Sequence, residues 1–155
     1  MTKKLSCGVL LLNERQEILL AHVTNSPQWD IPKGGAHPRE QPVDTALREL
    51  YEETGVVLGD ERLTDLGLQL YSSTKNLHLF AALVSTMEVD PARCVCHSYF
   101  SHYITRQKQP EMDGYEWVPF SAVAQYCVPA MVKLLTNLGL AQLLPKLQKQ
   151  TLLVG

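Results

Sequence analysis

The sequence predicts a single domain of the α/β (α+β) class, in which strands pack with two or three helices as a sandwich. Three observations favour this fold class. The chain has 155 residues, enough for one domain with a sizeable core. Apolar runs separated by polar breaks predict two β-hairpins, and a segment between them carries apolar residues at helical spacing. We therefore expect one domain over residues 1–155, with residues 140–155 as a C-terminal extension.

The first predicted elements are a β-hairpin and a short extended segment. Residues 5–12 and 17–23 are largely apolar and flank a polar break at residues 13–16. Residues 29–32 are expected to be extended, because a residue before proline is pushed out of the helical region. The two glycines at positions 34 and 35 then allow a turn.

A helix is predicted next. Pro42 suits its first position and Gly55 suits its C-terminal cap, whereas Gln41 is a poor N-cap residue. Its apolar residues recur every three or four positions, which predicts one buried face made of Val43, Ala46, Leu47 and Leu50.

The second half of the chain is predicted to hold another hairpin, one more strand and two helices. Residues 66–73 and 77–84 form the hairpin, and residues 94–105 form the strand. Residues 121–125 and 130–138 are predicted to be helical, with start signals before them and a glycine after the second.

The four cysteines contain no C-x-x-C pair, so disulfides are not expected. Cys94, Cys96 and His97 offer zinc ligands, but the two-residue spacing of the cysteines is more typical of one face of a strand. We therefore predict packing rather than metal binding at this place.

Charge and hydropathy restrict the partners. A net charge of -2 gives no basic field for a nucleic-acid backbone, so a polymeric nucleic-acid partner is not expected. The N-terminus lacks a small-residue cleavage site, and no apolar run reaches the ~20 residues of a membrane span. We expect a cytoplasmic protein that binds a small anionic molecule and no membrane. The Leu-rich tail is expected to cover the core or a partner subunit, which leaves a homodimer open.

One segment of 23 residues carries the chemistry. Its fixed positions run in the order Gly34, five residues, Glu40, seven residues, Arg48-Glu49-Leu50, one residue, Glu52-Glu53, one residue and Gly55-Val56. This order resembles the Nudix box, G-x5-E-x7-R-E-U-x-E-E-x-G-U with U a bulky aliphatic residue, and every specified position is filled. The resemblance implies the Nudix fold, an α/β/α sandwich with a mixed central sheet and a loop-helix-loop box.

The box also makes sense from the physical chemistry of its residues. At about 100° per residue, Glu49, Glu52 and Glu53 share roughly a third of the helix circumference, opposite the apolar face. Carboxylates crowded near a helix C-terminus repel one another and the macrodipole. Hard divalent cations relieve that repulsion and prefer oxygen ligands. The plainer explanation is a solvated acidic face, in which Arg48 and Glu52 form an ordinary i,i+4 ion pair.

The resemblance assigns roles to these residues. It implies that Glu52 and Glu53 bind the metal and that Glu49 is a further ligand or the base. It also implies that Arg48 orients a catalytic carboxylate, and that a backbone carbonyl at or beside Gly34 completes the coordination. Mg²⁺ is the expected cofactor, with Mn²⁺ as a substitute.

Residues around the first glycine of the box are expected to serve phosphate binding. Lys33 precedes this glycine, where the turn brings its ammonium to phosphate oxygens; the plainer alternative is a solvated loop lysine. By the resemblance, Glu40 supports the loop or metal-bound waters. The W-x-x-P-K-G run from Trp29 to Gly34 is similar to the approach to the box in asymmetric diadenosine tetraphosphate hydrolases, so Trp29 becomes a substrate-binding candidate.

A second resemblance lies downstream of the box. Glu111, Tyr115 and Trp117 match the E-x-x-x-[YF]-x-W spacing of the same hydrolases, in which the glutamate lies near the metals and assists catalysis. Met112 departs from the pattern, since these enzymes often carry histidine there, and this puts the substrate geometry in doubt. The plainer explanation of Glu111 is a surface acid. Weaker alternatives for the extra carboxylate are Asp113 and Glu116.

Aromatic residues beyond the box are candidates for base stacking. Tyr71 follows the box at about the distance of the base-stacking tyrosine in diadenosine polyphosphate hydrolases. ADP-ribose hydrolases tend to have a proline there, and no proline lies between Pro42 and Pro91, so ADP-ribose is disfavoured. His102 and Tyr103 are further candidates, although strand packing explains each of these side chains taken alone.

The expected activity is metal-dependent hydrolysis of a diphosphate linkage in a nucleoside or dinucleoside polyphosphate, with diadenosine tetraphosphate favoured. Diphosphoinositol polyphosphates, capped RNA ends and oxidised nucleoside triphosphates share this chemistry. The rival from another class is a non-catalytic nucleotide sensor, but such modules usually lose box glutamates, and this chain keeps all of them.

Overall fold

The computed structural model describes residues 3–154. The strands of this part of the chain are, in order, β1 (Lys4–Leu12), β2 (Glu17–Val23), β3 (Trp29–Asp30), β4 (Lys33–Gly35), β5 (Thr64–Leu70), β6 (Lys75–Leu83), β7 (Tyr99–Ser101), β8 (Lys108–Pro110) and β9 (Met112–Pro119). Its α-helices are α1 (Pro42–Thr54), α2 (Pro129–Leu138) and α3 (Leu140–Val154). Short 3₁₀ helices cover Asp60–Arg62, Pro91–Arg93 and Phe120–Gln125.

One mixed sheet forms the centre of the fold. Its strands follow the order β3-β2-β1-β6-β5, while β4 also pairs with β1 and β9 pairs with β2. Strands β1 and β6 are parallel over nine residue pairs, from Lys4 opposite Lys75 to Leu12 opposite Leu83, and the other pairings are antiparallel. The first hairpin and the mixed sheet predicted above are confirmed.

Helices cover both faces of the sheet, which gives the α/β/α sandwich. Alternate side chains of β1 point to opposite faces, so both sides of this strand are buried and its sequence is an almost continuous apolar run. Cys7, Val9 and Leu11 pack towards α1, where they meet Ala46 and Leu50. On the other face, a second cluster joins the sheet to α2 and α3 through Leu10, Leu12, Met131, Leu135 and Leu144.

Helix α1 begins and ends where the sequence predicts. Pro42 occupies its first turn, and Gln41 makes no side-chain capping bond. Gly55 closes the helix in the left-handed conformation at φ 79°, and its N–H donates to the carbonyl of Tyr51. A residue with a side chain is disfavoured at this φ, which explains the glycine.

The predicted strand at residues 94–105 is wrong. Only Tyr99–Ser101 is a strand, and it pairs with β8 in a separate two-stranded sheet. The backbone N–H groups of Val95 and His97 donate instead to the carbonyls of Thr54 and Glu52. The carbonyls of the last turn of a helix have no hydrogen-bond donors within the helix. The segment around Val95 and His97 donates to these carbonyls instead of pairing with a neighbouring strand.

Three other predictions need adjustment or completion. The second hairpin is present as β5 and β6, shifted by two residues towards the N-terminus, and the segment predicted as a helix at 121–125 is 3₁₀. The tail forms α3, whose buried leucines complete the core beneath the sheet: Leu140, Leu143, Leu144 and Leu147. Within residues 3–154, no helix has the length and apolarity needed to span a membrane.

Cys94 and Cys96 were predicted to lie on one face of a strand, and this prediction is wrong. Cys94 is partly exposed and Cys96 is buried with its Sγ donating to the carbonyl of Ser98, and both lie in a loop. Among the described residues, no group of three or more His, Cys, Asp or Glu side chains surrounds a common point. The structure therefore offers no support for zinc at this loop.

Candidate active site

The glutamates of α1 are buried rather than solvated. Glu49 is 9% exposed and Glu53 is 2% exposed, one helical turn apart. The side of α1 that carries them lies against the segment that contains Lys33 and Gly34, while the apolar side packs on the sheet. The plainer explanation of a solvated acidic face is therefore wrong for these two residues, although Glu52 remains about a third exposed.

Gly34 makes the burial of Glu49 possible. A Cβ atom added to Gly34 would overlap the Glu49 carboxylate, so any other residue would force this carboxylate out of its place. The neighbouring Gly35 has open space at the same position. The first glycine of the box is thus required by a close approach, not by a positive φ.

Glu53 lies beneath the backbone of Lys33. The N–H of Lys33 donates to both carboxylate oxygens of Glu53, at 3.3 and 3.4 Å. The pKa of Glu53 is raised to about 9, chiefly by burial and in part by the charges of Glu49 and Asp30, against the opposing effect of the Lys33 N–H and ammonium. A carboxyl group in this environment gains stability from any added positive charge.

Burial also raises the pKa of Glu49. The Arg48 guanidinium lowers it, and the negative charges of Glu52 and Glu111 raise it again. Because charge repulsion acts over a limited distance, this effect indicates that Glu111 lies near Glu49 although the two are far apart in sequence.

Arg48 joins the acidic side of α1 to the loop before it. Its Nε and Nη2 donate to the two carboxylate oxygens of Glu40, each at 2.9 Å. Its Nη1 donates to Glu49 at 2.9 Å and to Glu52 at 3.2 Å, and Nη2 also donates to the carbonyl of Gly35. These contacts use all five N–H groups of the guanidinium, which a lysine could not reproduce.

Glu40 holds the loop to the helix. Besides Arg48, it accepts hydrogen bonds from the N–H of His37 and from the hydroxyl of Thr45 at 2.7 Å. The hydrogen bonds from Arg48, followed by those from His37 and Thr45, keep the pKa of Glu40 well below its usual range despite partial desolvation. The sequence analysis expected loop support from Glu40 but did not identify Thr45 as a partner.

Lys33 is not a solvated loop lysine. Its Nζ forms an ion pair with Asp30 Oδ2 at 2.8 Å, and its side chain is 16% exposed. Burial is the largest single effect on the pKa of Lys33 and would lower it, but the charge and the hydrogen bond of Asp30, together with the charges of Glu53 and Tyr71, raise it overall. Asp30 is a site residue that the sequence analysis missed, and its only signal was an acid three positions before the lysine.

Glu111 lies immediately before β9, and its backbone N–H and carbonyl are both hydrogen-bonded. Its N–H donates to the carbonyl of Ser98, and its own carbonyl accepts from the N–H of Thr24. Tyr115 donates its hydroxyl to the backbone carbonyl of Glu53, and the indole N–H of Trp117 donates to the carbonyl of Val89. The Tyr115 contact ties the strand that follows Glu111 directly to the last turn of α1.

The weaker candidates for the extra carboxylate have other partners. Asp113 makes a hydrogen bond with the ring of His22, and Glu116 accepts a hydrogen bond from the hydroxyl of Tyr126. Neither contact lies within the network of α1 glutamates. The arrangement therefore favours Glu111 among the three acids.

The aromatic candidates lie in different places. Trp29 packs edge-on against Tyr126 and His22, in the cluster beneath the sheet. Tyr71 packs against the same cluster, and its pKa is raised by burial and then by the charge of Asp30, which places the phenol near the Lys33 ion pair. His102 and Tyr103 instead lie together at the turn between β7 and β8, remote from the core.

The side chains of this site are of the ligand type that a hard divalent cation prefers, although among the described residues no three of the carboxylates surround a common point. Glu49 and Glu53 supply buried carboxylate oxygens, Glu52 supplies a more accessible one, and repulsion among them is only partly compensated by Arg48. Oxygen donors with excess negative charge are the set that Mg²⁺ and Mn²⁺ prefer. A zinc site would call for cysteine or histidine ligands, and helix α1, which carries the three glutamates, contains neither.

Comparison with known proteins gives a family match and several relatives. A family model described as the NUDIX domain matches residues 2–138. An uncharacterised 17.7 kDa protein of Enterobacteria phage T4, from the e-segB intergenic region, is 32% identical over 145 residues, covering 88% of this chain and 95% of that protein. The RNA pyrophosphohydrolase of Photorhabdus laumondii is 27% identical over 126 residues, covering 73% and 67%. The match to the Pseudomonas aeruginosa RNA pyrophosphohydrolase is local and spans about a third of that enzyme, 35% of its length.

Solved structures agree on the fold. A binary complex of the Caenorhabditis elegans Ap4A hydrolase superposes with a TM-score of 0.61 and 20% sequence identity, covering 86% of this chain and 94% of that one. At this identity the likeness concerns the fold alone.

Proposed function

This chain belongs to the NUDIX family, and we propose that it is a pyrophosphohydrolase that cleaves a diphosphate linkage of a nucleoside or dinucleoside polyphosphate with the help of a divalent metal ion. The observation that carries this proposal is the burial of Glu49 and Glu53 side by side on α1. Two carboxyl groups in a low-dielectric setting cannot both ionise at low cost unless a cation neutralises them.

We assign the metal to the carboxylates of Glu52 and Glu53, with Glu49 or Glu111 as a further ligand and a backbone carbonyl at Gly34 or Lys33 completing the set. The bound cation would neutralise phosphate oxygens and lower the pKa of water. Arg48 holds the Glu49 carboxylate in place, and the glycine at position 34 admits it to the cleft. Mg²⁺ is the expected ion, and Mn²⁺ should substitute.

The reaction is water attack on a phosphorus atom. A P–O bond forms to the water oxygen, the bridging P–O bond breaks, and the leaving phosphate departs as an anion. The water proton passes to a glutamate, either Glu49 or Glu111. Lys33 is assigned the role of binding a phosphate oxygen of the substrate. Its ammonium must then either break its ion pair with Asp30 or contact Asp30 and the phosphate at the same time.

The favoured substrate is diadenosine tetraphosphate or a close analogue. The W-x-x-P-K-G approach to the box and the Glu111 motif support this choice, and the Ap4A hydrolase among the structural neighbours agrees with it at the level of fold. The relatives named RNA pyrophosphohydrolase favour the 5′-polyphosphate end of a nucleic acid as a second candidate. Diphosphoinositol polyphosphates and oxidised nucleoside triphosphates complete the panel to be tested.

A phosphate-release screen tests the proposal. The protein is incubated with the panel in Mg²⁺, in Mn²⁺ and in excess chelator, alongside Glu53→Gln and the control Glu61→Gln, whose carboxylate lies in an exposed 3₁₀ helix. We expect turnover only with metal, a fall of roughly a hundredfold or more in Glu53→Gln with the fold retained, and no change in the control.

A different result would support the rival function. Tight nucleotide binding with no turnover across the panel, in either metal, would identify a nucleotide sensor and overturn the enzyme proposal. Full activity in chelator would remove the metal from the mechanism.

A further inference from the structure

A small hairpin projects beside the proposed site. Strands β7 and β8 and the turn between them form a two-stranded unit, residues 99–110, that pairs with itself rather than with the central sheet. We refer to residues 99–110 as the arm. Its large apolar side chains face solvent: Tyr103 is 83% exposed, Ile104 is 68% exposed and Tyr99 is 56% exposed. Burial in this chain does not explain them.

The arm differs in charge from the rest of the chain. Residues 97–110 contain Arg106 and Lys108 and no aspartate or glutamate, whereas the whole chain has a net charge of -2. Both basic side chains are exposed. A surface that combines exposed aromatic rings with free cations is typical of a site for single-stranded nucleic acid, because bases stack on the rings and phosphates pair with the cations.

The tip of the arm is preorganised. His102 accepts hydrogen bonds through Nδ1 from the N–H groups of Ile104 and Thr105, at 3.2 and 3.3 Å. Its ring stacks on Tyr103 with centroids 5.2 Å apart and planes 18° from parallel. The tyrosine face is therefore held in position before a ligand arrives, which reduces the entropy cost of stacking a base on it.

The arm ends beside Glu111, the proposed general base or metal ligand. The N–H of Glu111 donates to the carbonyl of Ser98 at 2.8 Å and closes the base of the hairpin. The side chain of Asn25 holds the adjoining strand through Gln109 at 2.7 Å. About six residues separate the base from the tip, which at ~3.3 Å per residue gives a reach of about 20 Å. This reach spans a few nucleotides beyond a phosphate chain bound near Glu111.

We propose that the arm binds unpaired nucleotides that follow the polyphosphate, so that the protein acts on the 5′-polyphosphate end of a short single-stranded nucleic acid. This inference rests on the proposed function and extends its substrate class. The net charge argues against a protein that grips a long nucleic-acid backbone, but a site for two or three nucleotides needs only the local charge of Arg106 and Lys108.

Matched substrates test the arm. Rates are measured on a 5′-triphosphorylated single-stranded RNA tetranucleotide, on the nucleoside triphosphate with the same first base, and on diadenosine tetraphosphate. The variants are Tyr103→Ala and the double change Arg106→Gln with Lys108→Gln, and the control is Arg93→Gln, an exposed cation outside the arm. Loss of one stacked base predicts a fall of roughly five- to a hundredfold in kcat/KM on the tetranucleotide for Tyr103→Ala. The nucleoside triphosphate and the control should be unaffected.

Binding gives a readout that does not depend on turnover. The affinity of a fluorescently labelled tetranucleotide is measured by anisotropy at several salt concentrations. Removing the two cations should reduce the slope of log affinity against log salt by about 1.4, since each phosphate contact on a single strand contributes about 0.7. Weaker binding of the tetranucleotide by Tyr103→Ala supports the role of the arm in nucleotide binding, whether or not any substrate is hydrolysed. If binding is weakened but no substrate is hydrolysed, the proposed function fails and the inference about the arm stands.

Three outcomes would overturn the inference. If wild type and variants bind the tetranucleotide with equal affinity, the arm does not bind nucleotides, and its exposed side chains serve another partner, such as a protein. An equal loss on diadenosine tetraphosphate means that the arm holds a second nucleoside rather than a strand. An equal loss on the nucleoside triphosphate means that the arm supports the catalytic fold.

Discussion

The Glu49 carboxylate lies directly against the α-carbon of Gly34, in the space that a side chain at position 34 would occupy. Two positions of the box that are fifteen residues apart in sequence are thus coupled by a steric fit. Arg48 fixes the carboxylate from the other side at 2.9 Å. The position of Glu49 therefore depends on both contacts.

The fit at position 34 predicts that Gly34→Ala displaces Glu49. The added Cβ would push the carboxylate away from Arg48, and a misplacement of about 1 Å can cost roughly a hundredfold in rate. We expect kcat/KM to fall by about that factor and the free energy of unfolding to drop by about 1–3 kcal/mol. Gly35→Ala is the matched control, because its Cβ would meet open space, and it should stay within about 0.5 kcal/mol of wild type. Equal effects of the two changes in kinetic assays and urea unfolding would contradict the steric account.

The contact between Glu40 and Arg48 predicts a pH dependence of stability. Hydrogen bonds from Arg48 lower the pKa of Glu40 in the folded state, so its contribution is present above the unfolded pKa near 4.5 and is lost as the pH falls below it. We expect Glu40→Gln to lower the free energy of unfolding at pH 7 by about 1.5 kcal/mol or more. The difference between wild type and variant should shrink between pH 5 and pH 3, as measured by urea unfolding. A difference that is constant over this range would count against the charged contact.

The ion pair of Lys33 predicts two separable effects of its removal. If Lys33 binds phosphate, Lys33→Ala should reduce kcat/KM by roughly ten- to a hundredfold. The same change also leaves Asp30 without its partner, so Asp30→Asn and the double variant are needed as controls. Asp30→Asn keeps the ammonium and should retain most of the activity. Recovery of wild-type kinetics in the double variant would mean that Lys33 serves only to neutralise Asp30.

Glu111 is predicted to act in the reaction rather than in the fold. Its side chain is exposed, so Glu111→Gln should leave the thermal unfolding temperature nearly unchanged. As the general base it should cost roughly 10² to 10⁴ in kcat with little change in KM. As a metal ligand it should cost less and be rescued by more metal. Asp113→Asn is the control, because that acid is paired with His22 and should show no comparable loss. Near-normal turnover of Glu111→Gln would remove both roles.

The sequence was sufficient to predict the elements whose pattern is local. Helix α1 follows from its apolar spacing, from Pro42 and from Gly55, and all of these depend on neighbours within a few residues. The strand predicted at residues 94–105 failed because its alternation does not reveal the open carbonyls at the end of α1, to which Val95 and His97 donate. Whether these N–H groups pair with a neighbouring strand or with the end of a helix depends on the tertiary structure, which the local sequence does not reveal.

The site shows the same division between local and long-range information. The order of the box residues predicted which glutamates share a side of the helix, but not that Glu49 and Glu53 are buried. Burial depends on the approach of the segment at Lys33 and Gly34, which is fixed by its pairing with β1 at Gly8 and Cys7. Likewise, the pairing of Lys33 with Asp30 depends on how the extended segment between them is shaped.

The parallel pairing of β1 with β6 has a consequence for the kinetics of folding. Each of its nine residue pairs joins positions about seventy residues apart, and the segment between them includes the whole box. A large loop must therefore close before the two central strands can meet. The chain loses the entropy of closing this loop before the contacts between the strands stabilise it. The box helix can form early from local contacts, but its acidic side has no fixed partner until β4 has found β1. A nascent chain should accordingly pass through species in which the helix exists and the cleft does not, with strand edges open to misassociation during that interval.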